Sequence, residues 1–205
     1  MKLNFKSIIN TLKDVREYIF PVKKFVSKFQ NINSEIELKN FIQERSAHVT
    51  QTTLYGYIKT RIGTRYPIML EDDKFSNSIN IAKWNIYVIA IADCTFYTYS
   101  YLYDKKNFRN FNVEKVYLDI LETERNNGLN EKVFINAKSM FNERVQKINW
   151  NTFHSEKPFQ QSSLALYKWS PIADELKELD KEIVLNSIKL KWNIVENEFK
   201  ELTNS

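Results

Sequence analysis

Residues 34–104 decide the fold, and they read SEIELKNFIQERSAHVTQTTLYGYIKTRIGTRYPIMLEDDKFSNSINIAKWNIYVIAIADCTFYTYSYLYD. Ser34 and Glu37 have the spacing of a capping box, which opens a helix. Gly63 can end that helix, because glycine adopts the left-handed cap conformation without strain. The next helix starts after Asp72 or the aspartate that follows it, since a carboxylate suits a helix N-terminus. The pattern therefore predicts a long antiparallel helical hairpin over residues 35–104, joined at the turn GTRYP.

Composition extends this helical pattern to the rest of the chain. The 205 residues include only 3 Gly and 4 Pro, and so few helix breakers favour helices over sheets. Further helical stretches follow at 112–125 and 130–148, whereas the state of residues 149–169 stays open. We expect an all-α fold, a single-domain helical bundle of about six helices, over residues 31–205.

The last helix is predicted to begin at Ser170-Pro171 and to end near Leu202. Serine is a good N-cap residue, and proline is common at the first helical position. Apolar residues recur along this helix and predict the face that packs on the bundle. They are Ile172, Leu176, Leu179, Ile183, Ile188, Trp192, Val195, Phe199 and Leu202.

Residues 1–30 carry a net charge equal to that of the whole chain, which is +5. Apolar residues at three- and four-residue spacing predict an amphipathic helix in this arm, namely Phe5, Ile8, Leu12, Val15 and Ile19. This basic arm either packs on the bundle through that face or binds an anionic membrane surface or an acidic partner. The charge is confined to one segment, so we expect no nucleic-acid partner.

The compartment follows from the single cysteine and from the most apolar stretch. Cys94 cannot form an internal disulfide and fits a reducing environment. Residues 84–103 form a 20-residue segment with Asp93 as the only charge, and a carboxylate in mid-membrane is costly. We therefore predict a central core helix there. The N-terminus shows no signal-peptide pattern, so we expect a cytoplasmic protein. Peripheral contact with the cytoplasmic face of a membrane is compatible with this location.

Polar side chains interrupt the two facing stripes of the hairpin. Arg45, His48 and Thr52 share one face of the first helix, and Asp93 lies in the middle of an apolar face of the second. Facing positions in this hairpin sum to about 137, which places Arg45 within one turn of Asp93. A buried carboxylate needs a partner, so we predict an Arg45–Asp93 ion pair beside His48 and Thr52. This group either locks the helix register or forms a polar pocket with His48 and Asp93 as candidate catalytic residues.

A second polar cluster surrounds the turn of the hairpin. It contains Tyr57, Lys59, Arg61, Arg65 and Tyr66, and the acidic residues Glu71, Asp72 and Asp73 follow it. Opposite charges on the two sides of one turn can cross-link the helix ends. The alternative is a patch that binds an anion or a protein partner.

Several enzyme classes are excluded by missing motifs. The only glycines are at positions 56, 63 and 128, so the chain has neither a phosphate-binding glycine loop nor a G-x-S-x-G nucleophile elbow. Two histidines and one cysteine do not make a standard zinc site. We expect no cofactor and no metal. His154 lies in a predicted loop, but the sequence shows no group that would orient it.

Three stretches, in chain order, are FIQERSAHVTQTTLYGYIKTRIGTRY (41–66), FSNSINIAKW (75–84) and WSPIADELKELDKEIVLNSIKLKW (169–192). Together they resemble a bacterial, proteobacterial-type family of uncharacterised helical proteins, some of which carry an esterase label. The resemblance implies a helical bacterial protein and supplies no residue roles. The esterase label has no support in these residues, because the nucleophile elbow is missing.

The sequence therefore predicts a non-enzymatic binding, scaffold or assembly factor that acts through protein–protein contacts. Missing catalytic motifs and the localised basic arm favour this function. The alternative is a hydrolase-type enzyme that uses the polar site around His48, Arg45 and Asp93. The oligomeric state and the identity of the partner stay open.

Overall fold

A computed structural model describes residues 31–110 and 112–203, and this part of the chain is all-α without a strand. The prediction of a single-domain bundle of about six helices is confirmed, while the basic arm predicted for residues 1–30 lies outside the described residues. The helices are α1 (Glu35–Ile62), the short α2 (Tyr66–Met69), α3 (Asp73–Lys105), α4 (Val113–Asn126), α5 (Glu131–Val145), α6 (Gln160–Trp169) and α7 (Asp174–Thr203).

The hairpin of α1 and α3 forms with the predicted caps. Ser34 Oγ accepts the N–H of Glu37 at 3.2 Å, and Asp72 caps α3 as an acceptor for the N–H of the third residue after it. Gly63 ends α1 with a φ of 62°, in the left-handed region that favours glycine. Across the hairpin, Ser46 Oγ donates to the carbonyl oxygen of Ala90 at 3.2 Å. This contact agrees with the predicted register.

Helix α3 lies at the centre of the bundle. Every residue from Ala90 to Tyr101 is buried, and α1, α4, α5, α6 and the turn Phe153–Ser155 all pack on it. Buried polar side chains need hydrogen-bond partners. Thr95 and Thr98 bond to carbonyl oxygens of α3 itself. Asp93 and Ser100 bond to other elements, and the Tyr97 hydroxyl donates to the carbonyl oxygen of Glu196 in α7 at 3.4 Å. Among the helices of the described residues, none has the length and apolarity needed to cross a bilayer.

Helix α7 begins at Asp174, later than the predicted start at Ser170-Pro171. Ser170 belongs instead to the end of α6, where its hydroxyl donates to the carbonyl oxygen of Leu166 at 2.6 Å. Residues 149–169, which were open from the sequence, contain a 3-10 turn at Phe153–Ser155 and helix α6.

The predicted inward face of α7 is wrong in its first half. Leu176, Leu179 and Ile183 are exposed, and the helix turns Asp180 and Val184 inward instead. At 100° per residue, positions 176–183 of the predicted stripe lie about 155° away from positions 188–199. A straight helix cannot bury both sets against one neighbour, and the second set packs on the bundle.

Candidate functional site

Asp93 lies in a buried polar network, and its basic partner is Arg144 of α5. The carboxylate has no exposed surface. Its Oδ1 accepts a hydrogen bond from the Arg144 guanidinium, and its Oδ2 accepts the N–H of Ser162 at 2.7 Å. Burial raises the pKa of Asp93, against the opposing effects of Arg144 and Ser162. The predicted Arg45–Asp93 ion pair is therefore wrong.

The same carboxylate caps the N-terminus of α6. Phe159 precedes that helix and makes no side-chain cap, so the N–H groups of the first turn lack partners within the helix. Asp93 supplies an acceptor to Ser162 and places negative charge at the positive end of the helix. Ser162 Oγ in turn accepts the indole N–H of Trp192 at 3.1 Å. One carboxylate thus connects α3, α5 and α6 and, through Ser162, α7.

Arg45 pairs with Glu198 of α7 rather than with Asp93. Its guanidinium binds both carboxylate oxygens, and the distance from Nε to Oε2 is 2.6 Å. This two-point geometry is the stronger form of an arginine–carboxylate contact. Arg45 lies at the predicted position along the hairpin, but this position does not determine to which side of the helix its side chain points. Arg45 points towards α7, whereas Asp93 points towards α5 and α6.

His48 and Thr52 lie on the same side of α1 as Arg45. The Thr52 hydroxyl donates to the carbonyl oxygen of His48 at 2.8 Å. Partial burial lowers the pKa of His48, and the positive charges of Lys191 and Arg45 lower it further. Three of the four residues predicted for the polar core are therefore close together, and Asp93 is not one of them.

The polar cluster at the turn is held in part by α7. Asp180 accepts hydrogen bonds from the Arg61 guanidinium and, at 2.9 Å, from the hydroxyl of Tyr57. Arg61 thus pairs with α7 and not with the acidic residues after the turn. Lys59 and Arg65 are exposed and Tyr66 is partly buried, so a role of this patch in binding an anion or a partner stays a prediction.

Three side chains near the C-terminal end of α3 have the composition of a hydrolase triad. Ser100 Oγ lies 3.2 Å from His154 Nδ1, and His154 Nε2 lies 3.7 Å from Asp104 Oδ2. No sequence pattern predicted these partners for His154. Burial lowers the pKa of the His154 ring, although Asp104 opposes this effect.

The position of Ser100 points to a structural role for this group. The residue has no exposed surface. Its hydroxyl oxygen accepts the backbone N–H of His154, and its O–H donates to the carbonyl oxygen of Trp150, both at 2.9 Å. A catalytic serine must reach its substrate, whereas this hydroxyl is surrounded by the loop that it binds. Ser100 therefore attaches the loop before α6 to the central helix.

A further buried carboxylate, Glu124 of α4, was not predicted. It accepts hydrogen bonds from the side-chain amide of Gln43 and, at 3.0 Å, from the hydroxyl of Tyr87. Lys83 is buried nearby, with its ammonium 4.5 Å from the ring centre of Trp84. Burial lowers the pKa of Lys83 to about 8, although Glu124 acts in the opposite direction.

The outward side of α7 carries a row of exposed apolar side chains, which we name the α7 row. Its members are Leu176, Leu179, Ile183, Leu190 and Ile194, with exposed fractions of 40%, 78%, 70%, 64% and 61%. They lie within about 60° of one another around the helix and extend over about 27 Å. Only uncharged residues interrupt the row, namely Asn186 and Ser187. A continuous apolar row of this length on a surface helix is typical of a binding surface.

The chain offers little for metal or thiol chemistry in the part that the structure describes. No three His, Cys, Asp or Glu side chains converge there as possible metal ligands. Cys94 is fully buried, and burial raises the pKa of its thiol to about 12.

Comparison of the chain with protein-family models, with curated proteins and with solved structures finds no match.

Proposed function

We propose that this protein is a non-enzymatic helical binding protein, and that the α7 row is the surface through which it contacts a protein partner. The observation that carries this proposal is the exposure of five Leu and Ile side chains along one line of α7. Exposed apolar side chains scattered singly are ordinary. A contiguous row is different, because its burial against another apolar surface is favourable in free energy.

The buried polar groups support a structural framework behind this surface. Glu198 and Asp180 of α7 bind Arg45 and Arg61 of α1 near the two ends of the helix. Trp192, which also belongs to α7, donates a hydrogen bond from its indole N–H to the hydroxyl oxygen of Ser162 in α6. These contacts hold α7 with its apolar row turned away from the bundle. A rigid helix that presents one apolar face is a common mode of protein recognition.

The hydrolase alternative has weaker support from the geometry. Its candidate residues do not share one site, because Arg45 and His48 face α7 while Asp93 faces α5 and α6. Ser100, the hydroxyl next to His154, is buried and bonded on several sides. A basic arm at residues 1–30 that contacts an acidic partner or an anionic membrane surface is compatible with the binding function.

Site-specific photocrosslinking in cells tests the proposal. A photoreactive benzoylphenylalanine replaces Leu179 in the α7 row of the full chain. The matched control carries it at Ile135, an isoleucine of α5 that is 59% exposed and lies outside the row. We expect a discrete adduct of higher mass from position 179 and none from position 135. Absence of an adduct from position 179, or equal adducts from both positions, would contradict the proposed function.

A further inference from the structure

We propose that the partner of the α7 row is a second copy of this chain, bound through an antiparallel pair of α7 helices. This inference rests on the proposed function, because it assigns the occupant of the same surface. The two-fold axis of the pair passes between Asn186 and Ser187. Spacing, polarity and charge along α7 each favour this arrangement.

The spacing of the row is the same from both ends. Its four most exposed members follow one another at intervals of four, seven and four residues, namely Leu179, Ile183, Leu190 and Ile194. In an antiparallel pair centred between Asn186 and Ser187, Leu179 faces Ile194 of the second copy, and Ile183 faces Leu190. The two-fold axis repeats both contacts. A surface that is complementary to itself in this way is what an isologous dimer requires.

The centre of the row is polar in a way that suits such a pair. Asn186 and Ser187 replace the apolar residue that the middle of the row would otherwise contain. One polar residue within an apolar seam between helices fixes their register and the number of chains, because a shifted pair leaves it facing an apolar side chain. On the two-fold axis, Asn186 meets its own copy, and one amide can donate to the other.

Charges beside the row complement each other in the antiparallel orientation. Glu182 and Lys189 are exposed and lie on the same flank of the row. In the antiparallel pair Glu182 of each copy lies near Lys189 of the other, so each charge meets its opposite. The buried face of α7 lies about 130° away around the helix. A second helix therefore reaches the row without displacing α1 or α6.

The mass of the full chain in solution is the first test. We expect twice the chain mass of 24.5 kDa at about 100 µM, a concentration well above a micromolar Kd. The variant Ile183→Glu/Leu190→Glu should have the mass of one chain, because it places four carboxylates in the seam. Both positions are exposed, so circular dichroism should show unchanged helix content. The control Ile135→Glu on α5 should keep the double mass. A wild-type chain of single mass overturns the proposal.

Cysteine crosslinking tests the orientation, and Cys94 does not interfere because it is buried. Asn186→Cys lies at the two-fold axis and should form a disulfide with its own copy. Leu179→Cys alone should not, whereas a mixture of Leu179→Cys and Ile194→Cys chains should form the mixed disulfide. Self-crosslinking of Leu179→Cys indicates a parallel pair and overturns the proposal.

Two further outcomes identify other occupants of the row. The N–H of Ile32 bonds to the carbonyl oxygen of Leu202 at 3.2 Å, so residues 1–30 join the described chain close to the end of α7. A disulfide within one chain between Ile8→Cys and Leu179→Cys assigns the row to that segment and overturns the proposal. A photocrosslink from position 179 to a different protein also overturns it, but leaves the proposed function intact. If position 179 gives no adduct at all, both the proposed dimer and the proposed function are overturned.

Discussion

Replacement of Asp93 by asparagine removes the negative charge of the buried network and keeps the shape of the side chain. Loss of one partner of a buried ion pair costs about 3–5 kcal/mol, because the other charge stays behind without compensation. The Arg144 side chain is 22% exposed, and water can therefore solvate part of its guanidinium. The asparagine oxygen can still accept the N–H of Ser162. We expect the free energy of unfolding to fall by about 2–3 kcal/mol, at or slightly below the lower end of that range.

Urea titration followed by circular dichroism measures this loss. In a thermal scan the same change corresponds to a Tm lower by roughly 4–12 °C, at about 2–4 °C per kcal/mol for a chain of this size. The control is Asp119→Asn on α4, whose carboxylate is 44% exposed and lies 4.0 Å from Lys39. An exposed pair of this kind contributes at most about 1 kcal/mol.

A double-mutant cycle separates the ion pair from other effects of the substitution. Arg144→Met leaves the Asp93 carboxylate buried without its guanidinium and should also destabilise the fold. The double variant Asp93→Asn/Arg144→Met leaves neither charge behind, so its cost should be at least about 1 kcal/mol smaller than the sum of the single costs. Additive costs, or a single cost for Asp93→Asn below about 1 kcal/mol, would refute this account of the network.

Three other substitutions test separate features. Lys83 has a folded pKa of about 8 against an ordinary value of 10.5. The folded state therefore binds fewer protons between these values, and stability gains up to about 3 kcal/mol as the pH rises from 8 to 10.5. Urea titrations across that range should lose this gain in Lys83→Met and keep it in Lys138→Met. Ser100→Ala should cost about 1–3 kcal/mol by urea titration, because Trp150 and His154 lose a hydrogen-bond partner, whereas the exposed Ser78→Ala should cost little. Gly63→Ala should lower the free energy of unfolding by about 1 kcal/mol, because the φ of 62° strains a residue with a Cβ.

Each of these expectations has a contrary result. A rise in stability with pH that is the same in Lys83→Met and wild type would mean that Lys83 is charged in the folded protein. Equal costs for Ser100→Ala and Ser78→Ala would mean that the loop before α6 does not depend on the Ser100 hydroxyl. A Gly63→Ala variant as stable as wild type would show that the end of α1 relaxes to another conformation.

The hairpin could be predicted because its signals are local. Ser34, Gly63 and Asp72 act on backbone groups within four residues, so the helix ends follow from the sequence around them. The partners of buried charges are a different matter. Asp93 is 51 residues from Arg144, and Arg45 is 153 residues from Glu198. The rotation of each helix about its axis decides such pairs, and packing of the whole bundle sets that rotation.

Some of the missed residues did leave a signal. Glu124 follows Tyr117, Ile120 and Leu121 at helical spacing, so it occupies a position of the inward stripe of α4. Asp180 holds the same kind of position before Val184 and Ile188 of α7. A carboxylate on an inward stripe predicts a buried partner, as it did for Asp93. In α7, a stripe drawn through Asp180, Val184 and Ile188 is the buried face, and Leu179 and Ile183 then lie on the exposed side.

The dependence of α6 on Asp93 has a consequence for the order in which the bundle assembles. At ten residues, α6 is shorter than the roughly 12–15 residues that an isolated helix needs to be even marginally stable in water. It also lacks a cap of its own, so it gains its first-turn acceptor only after α3 has brought the carboxylate into place. Helix α7 packs on α1 and α6. Its docking on the bundle can therefore be complete only after α6 has formed. Amide hydrogens of α6 should therefore exchange with solvent through an opening that spares the α1–α3 hairpin.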